Sequence, residues 1–401
     1  MHHHSNLSRA ARFMVTVAFA SLLCGSVAWG AELPDPAKPG QYPVGVTTMT
    51  LVDHSRTDAK TGGSRSLLTE IWYPAVDEAR HLPKNKFSDF LMRGQVPVYR
   101  AALEFAFQAN ASNIDEQFQN QAVRDAHIRD GKFPLIVFSH GNRSIRMQST
   151  FWCDHMASHG YIVVAADHTG NSAVTVVDRK LVLFDKDGVE GAQVERPRDV
   201  RFLIDTMHRF GGGEDSRFAG RIDIDNVGAA GHSFGGYTVT RAIEIDPRIK
   251  AIVPMASTTD LQRDNHATPV MMIFGTEDAT LGLERNEKIR QYYAATQGPR
   301  YLVEILDAGH FSFSDMFQFK PDFGDGVGKG ERITKPGEAV EYLDMQTTYD
   351  IINSYSTAFF GLFLKQHEGY RDFLKANHFA EIVSHDHGQA GTQPTAVGAG
   401  N

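Results

Sequence analysis

The sequence is poor in cysteine, in basic clusters and in long apolar segments. It has 401 residues but only two cysteines. Cys24 lies in an N-terminal segment that we predict to be removed, so Cys153 has no partner for an intramolecular disulfide and stability has to come from an apolar core. The formal net charge of -8 and the lack of a basic run argue against nucleic acid or an anionic membrane as a partner.

The first 30 residues have the pattern of a secretory signal peptide. Arg9 and Arg12 precede an apolar run from Phe13 to Leu23, which is too short to span a bilayer. Small residues up to Gly30 then precede a polar segment, which predicts cleavage near that glycine. We therefore expect a secreted or periplasmic protein without stable membrane insertion; a membrane anchor or a buried helix is the alternative.

After this segment, the hydrophobic pattern predicts one α/β domain over residues 31–387. Residues 44–55 and 66–75 alternate partly and predict two antiparallel strands at one sheet edge. Six short runs are apolar on both faces, as expected of buried parallel strands. These runs are 133–138, 161–166, 227–230, 251–253, 270–274 and 301–306. Helix candidates alternate with them at 147–158, 197–210, 237–245, 284–296 and 349–364. The alternation predicts a mostly parallel central sheet flanked by helices.

Three stretches interrupt this alternation. They are a helical, aromatic-rich patch at 81–132, a polar loop with a small hairpin at 169–196, and a glycine-rich segment at 316–342. Each follows a strand or leads into one, so we expect these insertions to gather over the edge of the sheet where a site would form. Surface insertions without a role are the alternative. The tail at 388–401 is low in complexity and predicted to be disordered.

The segment Gly231-His232-Ser233-Phe234-Gly235 has the spacing of a nucleophile elbow. In such an elbow a buried strand turns sharply into a helix, and the small residues two before and two after the serine let the two backbones approach closely. The pattern alone also occurs in ordinary loops, but here an apolar run precedes it and a helix candidate follows. Ser233 is therefore the predicted nucleophile, and the N–H of Phe234 is the first predicted oxyanion donor.

A serine nucleophile needs a histidine and an acid, which follow it in this order on loops after later strands: serine, acid, histidine. Asp278 comes after the run at 270–274, and His310 comes after the run at 301–306. Glu277 and Asp260 are alternative acids, and a helix N-cap is the alternative role for Asp278.

The second oxyanion donor should come from the loop after the strand at 133–138, where Ser139-His140-Gly141-Asn142 stands. We predict the N–H of Asn142 for this role and expect His140 to shape the loop. No cofactor or metal site is predicted, because the histidines and acids near the C-terminus lack zinc or EF-hand spacing and are interpreted as solvated loops. These residues are Asp322, Asp325, Glu331, His385 and His387.

Four ordered motifs resemble a known family. They are Phe138-Ser139-His140-Gly141, Ala166-Asp167-His168 with Ser172-Ala173, Arg198-Asp199-Val200-Arg201-Phe202, and Gly231 to Gly236. Together they are similar to the secreted platelet-activating factor acetylhydrolases and to bacterial dienelactone-hydrolase-like serine esterases. The resemblance implies an α/β-hydrolase fold, a metal-independent serine esterase with Ser233 and His310 in its triad, and relatives that cleave short or truncated acyl esters.

Two departures from these families are visible. In the animal acetylhydrolases the acid follows the strand just after the nucleophile helix, where this chain has Ala256. True dienelactone hydrolases use cysteine at the position of Ser233. The run from Ile252 to Asp278 is also similar to the compact cutinase-type polyester hydrolases, which lack the three insertions.

The sequence therefore predicts a secreted serine hydrolase that cleaves small carboxylic esters through an acyl-enzyme. The alternatives are a hydrolase of polyesters or amides and a non-catalytic binding protein that kept the fold.

Overall fold

The structure, a computed structural model, describes residues 33–91, 96–107, 114–258 and 267–388. The predicted signal peptide lies outside the described residues, as does the predicted tail beyond Gly388. No described helix has both the length and the apolar character needed to cross a membrane.

Strands and helices alternate along most of the described chain. The strands are β1 (Val44–Thr57), β2 (Ser64–Pro74), β3 (Ala122–Arg124), β4 (Phe133–Ser139), β5 (Ile162–Ala166), β6 (Val174–Val177), β7 (Lys180–Leu183), β8 (Ile222–His232), β9 (Ile249–Met255), β10 (Val270–Gly275), β11 (Arg300–Ile305), β12 (Lys329–Glu331), β13 (Ala339–Glu341) and β14 (Val383–Gly388). The helices are α1 (Val96–Phe107), α2 (Ile114–Gln117), α3 (Thr150–Ser158), α4 (Val189–Arg209), α5 (Phe234–Ala242), α6 (Gly282–Ala295), α7 (Met316–Phe319), α8 (Met345–Lys365) and α9 (Tyr370–Phe373).

Ten of the described strands form one sheet in the order β14-β11-β10-β9-β8-β4-β5-β2-β1-β3. Neighbours from β11 to β5 run parallel, whereas β2 is antiparallel to both β5 and β1. The predicted hairpin and the mostly parallel sheet are confirmed. Because parallel strands end at the same edge, the loops after β4, β8, β9, β10 and β11 all open on one side of the sheet.

Both faces of the sheet are covered, which explains the continuous apolar runs. Ile136 and Phe138 of β4 pack with residues of α3 and α8, whereas Leu135 and Val137 pack on the opposite face with residues of α4, α5 and α6. Side chains of a strand point to alternate faces, so every residue of β4 is buried. The predicted α/β architecture of layered helices and sheet is confirmed.

The structure corrects several predicted boundaries. The predicted hairpin does not form the edge of the sheet. The edge strand is β3, which lies within the expected insertion at 81–132 and pairs with the outer side of β1. The hairpin expected at 169–196 is confirmed as β6 and β7, but α4 already starts at Val189 and continues through Pro197. Gly388 belongs to β14, an antiparallel edge strand beside β11, and not to a disordered tail. An edge strand with one polar face lacks the apolar run by which the inner strands were predicted.

Candidate active site

Ser233 occupies a sharp turn between β8 and α5. Its φ of 53° and ψ of -122° place a non-glycine residue in a conformation that L-amino acids rarely adopt. The N–H of Ser233 donates to the carbonyl of Met255 at the end of β9, 2.8 Å away, which ties the turn to the neighbouring strand. The predicted order of strand, turn and helix is therefore confirmed.

Glycines allow the backbones around this turn to approach each other. A Cβ at Gly235 would lie 1.8 Å from the carbonyl oxygen of Ser139, and a Cβ at Gly231 would lie 2.5 Å from the backbone of Gly235. Real Cβ atoms never come so close to backbone atoms. The first turn of α5 consequently lies directly against the end of β4, and the loop after β4 reaches Ser233.

Asp278 and His310 are brought together from two neighbouring strand ends. The Nδ1 of His310 donates to Oδ2 of Asp278 over 2.8 Å, and both side chains are buried. The other carboxylate oxygen of Asp278 accepts the N–H of Leu281, 2.7 Å away, at the start of α6. Asp278 thus makes the contact that a helix N-cap would make and also orients the histidine ring.

The alternative acids are not placed for this role. Glu277 points away from His310 and accepts hydrogen bonds from the N–H groups of Ile333 and Thr334, at 2.7 and 3.2 Å. Asp260 lies outside the described residues. Ala256, where the animal acetylhydrolases carry their acid, is buried and has a φ of 45°.

A cavity of about 300 Å³ lies beside Ser233 and His310. Ser233, His310 and Asn142 line it together with Phe311 and Phe323. The cavity has one apolar wall of aromatic rings and one polar wall formed by the loop after β4. A small ester with its carbonyl against Ser233 would fit this space.

The two predicted oxyanion donors have N–H groups without a protein acceptor among the described residues. Phe234 is the first residue of α5, so its N–H has no acceptor within the helix. Asn142 is exposed at the cavity, and its side-chain oxygen accepts from Asn171, 2.9 Å away. By contrast, the N–H of the preceding Gly141 is occupied, because it donates to Oε1 of Gln148 over 2.7 Å.

Comparisons with known proteins find similar sequences and a similar solved structure. Residues 31–187 match the family model "Platelet-activating factor acetylhydrolase, isoform II", and residues 125–318 match a PET hydrolase-like model. The platelet-activating factor acetylhydrolase of Gallus gallus is 24% identical over 374 residues, which cover 81% of this chain and 82% of that protein. A solved ferulic acid esterase from Streptomyces cinnamoneus is 22% identical with a TM-score of 0.64, over 82% of this chain and 92% of that one.

The chain has the α/β-hydrolase fold. It resembles the platelet-activating factor acetylhydrolases in sequence, although it spans less than two thirds of two of these relatives. The enzyme of Cavia porcellus is 25% identical over 264 residues, which cover 58% of each protein. The enzyme of Canis lupus familiaris is 25% identical over 277 residues, which cover 60% of this chain and 58% of that protein.

The sequence did not reveal that the glycine-rich insertion reaches the site and contributes Phe323 to its wall. Asp325, interpreted as part of a solvated loop, instead accepts hydrogen bonds from the N–H groups of Ala279, Thr280 and His310 at 2.8, 2.9 and 3.0 Å. One carboxylate therefore joins the loop of the acid to the loop of the histidine. The only sequence signal was its position between two glycines, Gly324 and Gly326, both of which have positive φ.

A second clamp holds the same insertion. Arg332 forms ion pairs with Glu277 at 3.1 Å and with Asp307 at 2.5 Å. Glu277 directly precedes Asp278, and Asp307 lies shortly before His310 in the chain. Phe323 of this insertion packs edge-on against Phe311, with ring centroids 4.5 Å apart. Asp325 and Arg332 thus hold the segment at 316–342 against the site, and its Phe323 lines the cavity. His385, also interpreted as solvated, lies in β14 and stacks on Tyr355.

Gln148 and His232 link the loops around the nucleophile. Gln148 donates to Nδ1 of His232 over 2.5 Å, and Nε2 of His232 donates to the carbonyl of His310 over 2.9 Å. Burial holds the pKa of His232 well below its usual value, so the ring stays neutral. Because Gln148 also accepts from Gly141, one chain of hydrogen bonds joins the loop after β4, the elbow and the loop of the histidine.

A second serine, histidine and aspartate series lies buried beneath the loop after β4. The Oγ of Ser139 is 2.9 Å from Nε2 of His168, and Nδ1 of His168 is 2.9 Å from Oδ2 of Asp199. All three side chains are almost fully enclosed, and burial lowers the pKa of His168 to about 3. Since substrate cannot reach Ser139, this series supports the loop. His140 accepts from the N–H of His168 at 3.2 Å and is also buried, so it shapes the loop as predicted.

The tight contact at Gly235 gives a prediction about folding. Gly235→Ala should lower the free energy of unfolding by more than about 2 kcal/mol, because the added methyl group meets the carbonyl of Ser139 and the backbone has to move. Urea unfolding and soluble yield measure this effect. The matched control is Gly191→Ala on the exposed side of α4, where nothing lies within 4 Å of the new Cβ. The control should be neutral or stabilising by about 0.5–1 kcal/mol; equal losses in both variants would contradict the packing argument.

Proposed function

We propose that the protein is a secreted serine hydrolase that cleaves carboxylic esters with short or truncated acyl groups. The observation that carries this proposal is the hydrogen bond between Asp278 and His310 beside a cavity that Ser233 also lines. The names of the similar proteins, acetylhydrolase and ferulic acid esterase, support ester hydrolysis as the reaction.

In this proposal Ser233 and His310 carry out acyl transfer. The Oγ of Ser233 attacks the ester carbonyl while Nε2 of His310 takes its proton, and the imidazolium then protonates the leaving alcohol. Asp278 holds the Nδ1–H tautomer and stabilises the charged ring. Water repeats these steps on the acyl-enzyme, so the acid is released and Ser233 is restored.

The N–H groups of Phe234 and Asn142 form the proposed oxyanion hole. Each would donate to the negatively charged oxygen of the tetrahedral intermediate, and neither has to give up a protein acceptor to do so. One such donor contributes about a hundredfold or more in rate. The two residues lie on the elbow and on the loop after β4, so their spacing depends on whatever joins these two segments.

Arg196 joins the two sides of this oxyanion hole. Its guanidinium donates to the carbonyl of His140 and, over 2.7 Å, to the side chain of Asn171, which in turn donates to Asn142. The same guanidinium lies over the ring of Phe234, 4.7 Å from its centroid. Burial lowers the pKa of Arg196 to about 9, so it remains a cation at neutral pH. Arg196 is therefore a positioning residue for both donors.

The first prediction from this mechanism concerns Ser233. Ser233→Ala should lower kcat for 4-nitrophenyl butyrate by about 10⁴-fold or more, because the nucleophile is removed, and should abolish labelling by a fluorophosphonate. Asp278→Asn should also lower kcat, by up to about 10⁴-fold, because it favours the wrong tautomer of His310. The control is Ser216→Ala at an exposed position. Retained turnover in Ser233→Ala would refute the mechanism, and absence of labelling in the wild type would favour a binding protein.

The second prediction concerns Arg196. Arg196→Met should lower kcat by about 10- to 100-fold with little change in KM, because the donors lose their spacing for the transition state. Affinity for a trifluoromethyl ketone, which forms a tetrahedral adduct with the serine, should fall in parallel. Arg198→Met, on the exposed side of the same helix, is the control. A fall in melting temperature without a change in inhibitor affinity would limit Arg196 to a purely structural role.

A polyester hydrolase is the second candidate, favoured by the PET hydrolase-like match over residues 125–318. The small cavity, which Phe323 of the insertion helps to enclose, favours soluble esters instead, because a polymer chain needs an open groove. Comparing product release from a polyester film with hydrolysis of 4-nitrophenyl butyrate separates the two. Faster turnover of the film would favour the polyester candidate.

The secreted or periplasmic location is proposed from the N-terminal sequence, in which Arg9 and Arg12 precede a short apolar run and small residues end at Gly30. N-terminal sequencing of the exported protein should therefore begin close after Gly30. A protein retained in the cytoplasm with its first 30 residues intact would contradict this location.

A further inference from the structure

The cavity that Ser233 lines has one side chain with a permanent charge, Arg143. No aspartate or glutamate lines the same cavity in the described part of the chain. The side chain of Arg143 is exposed and forms no ion pair with any described residue. Its guanidinium therefore has N–H donors that remain available to a ligand of this cavity.

The backbone of Arg143 is held in an unusual conformation. Its φ of 54° lies in the left-handed region, which an arginine adopts at a cost that glycine or asparagine would reduce. Its N–H donates to the carbonyl of Asn171 over 3.1 Å, and the N–H of Ser144 donates to Gly141 over 3.2 Å. These two bonds hold the backbone of Arg143 in place. Arg143 directly follows Asn142, the proposed oxyanion donor.

The charges around this loop favour an anion. Arg196, directly behind the loop, also forms no ion pair with a described carboxylate, although Asp199 acts on it electrostatically. The acids of the site, Asp278 and Asp325, are already engaged. Asp278 accepts from His310 and Leu281, and Asp325 accepts from backbone N–H groups. Arg143 on the loop after β4 and Arg196 of α4 behind it thus have no ion-pair partner among the described residues, in a protein whose formal net charge is -8.

We propose that Arg143 is a specificity residue that binds an anionic group of the substrate, a carboxylate or a phosphate, close to the scissile ester. This inference rests on the proposed hydrolase function and narrows its substrate class. A guanidinium forms two parallel hydrogen bonds with either anion, and such charge-assisted bonds are stronger than neutral ones. At a partly exposed position we expect about tenfold discrimination between charged and neutral esters.

The test compares esters that differ only in one charge. The mono-4-nitrophenyl ester of glutaric acid carries a terminal carboxylate, and 4-nitrophenyl pentanoate has the same leaving group and chain length without it. A second pair, butyryl glycerol phosphate and monobutyrin, places a phosphate on the alcohol side. The measured quantity is the ratio of kcat/KM for the charged ester to that for the neutral ester, at low and at high salt.

In the wild type one of these two ratios should exceed one and fall with added salt. Arg143→Gln should lower that ratio by about tenfold, mainly through KM of the charged ester, and Arg143→Glu should lower it further. Arg143→Lys should restore part of it, since the charge remains but the paired geometry does not. Arg201→Gln, an exposed arginine of α4 outside the cavity, should leave both ratios unchanged.

The pair that shows the effect identifies the side on which the anion binds. An unchanged ratio in Arg143→Gln would overturn the proposal, as would an equal loss for charged and neutral esters, which would indicate a role in loop structure alone. Failure of the hydrolase function itself is separately visible, because the wild type would then hydrolyse neither neutral ester and would not react with a fluorophosphonate.

Discussion

The contact between Gly235 and the carbonyl of Ser139 sets the geometry on which the rest of the site depends. It allows the first turn of α5 to lie directly against the end of β4, so that the elbow and the loop after β4 lie close together. A side chain at position 235 would separate the two segments. The buried polar groups beneath the loop, including Arg196, His168 and Asp199, then hold this close arrangement in place.

The insertion at 316–342 adds a second constraint from the other side of the cavity. Its carboxylate at Asp325 binds N–H groups on both sides of the pair formed by Asp278 and His310, and Arg332 bridges the acids that precede them. A hydrogen bond of 2.8 Å between acid and histidine needs two loops to keep a fixed distance. The hydrogen bonds of Asp325 and the ion pairs of Arg332 hold these loops together, and Gly326, with a positive φ, gives the backbone the tight path that this arrangement needs.

The parts that were predicted from sequence are those that leave a local pattern. Buried parallel strands leave apolar runs, and the elbow leaves glycines at 231 and 235, so the sheet, the turn at Ser233 and the loops of Asp278 and His310 were all anticipated. Asp325 and Arg196 were not, because their partners lie on other elements, between 15 and 57 residues away in the chain, and consist partly of backbone atoms. The edge strand β14 was not predicted for a related reason. One of its faces is polar, and pairing with β11 decides its conformation.

The position of the acid illustrates how the fold tolerates change at the level of single residues. β9 and β10 are adjacent and parallel, so the loops that follow them open at the same edge, and an acid on either one can approach the histidine after β11. After β9 this chain has Ala256, which is buried, has a φ of 45° and carries no carboxylate. Asp278 instead lies one strand nearer to His310 and is buried with it. The Nδ1–H of His310 therefore donates to an acid on the loop after β10 and not to one on the loop after β9. Both loops lie at the same edge of the sheet.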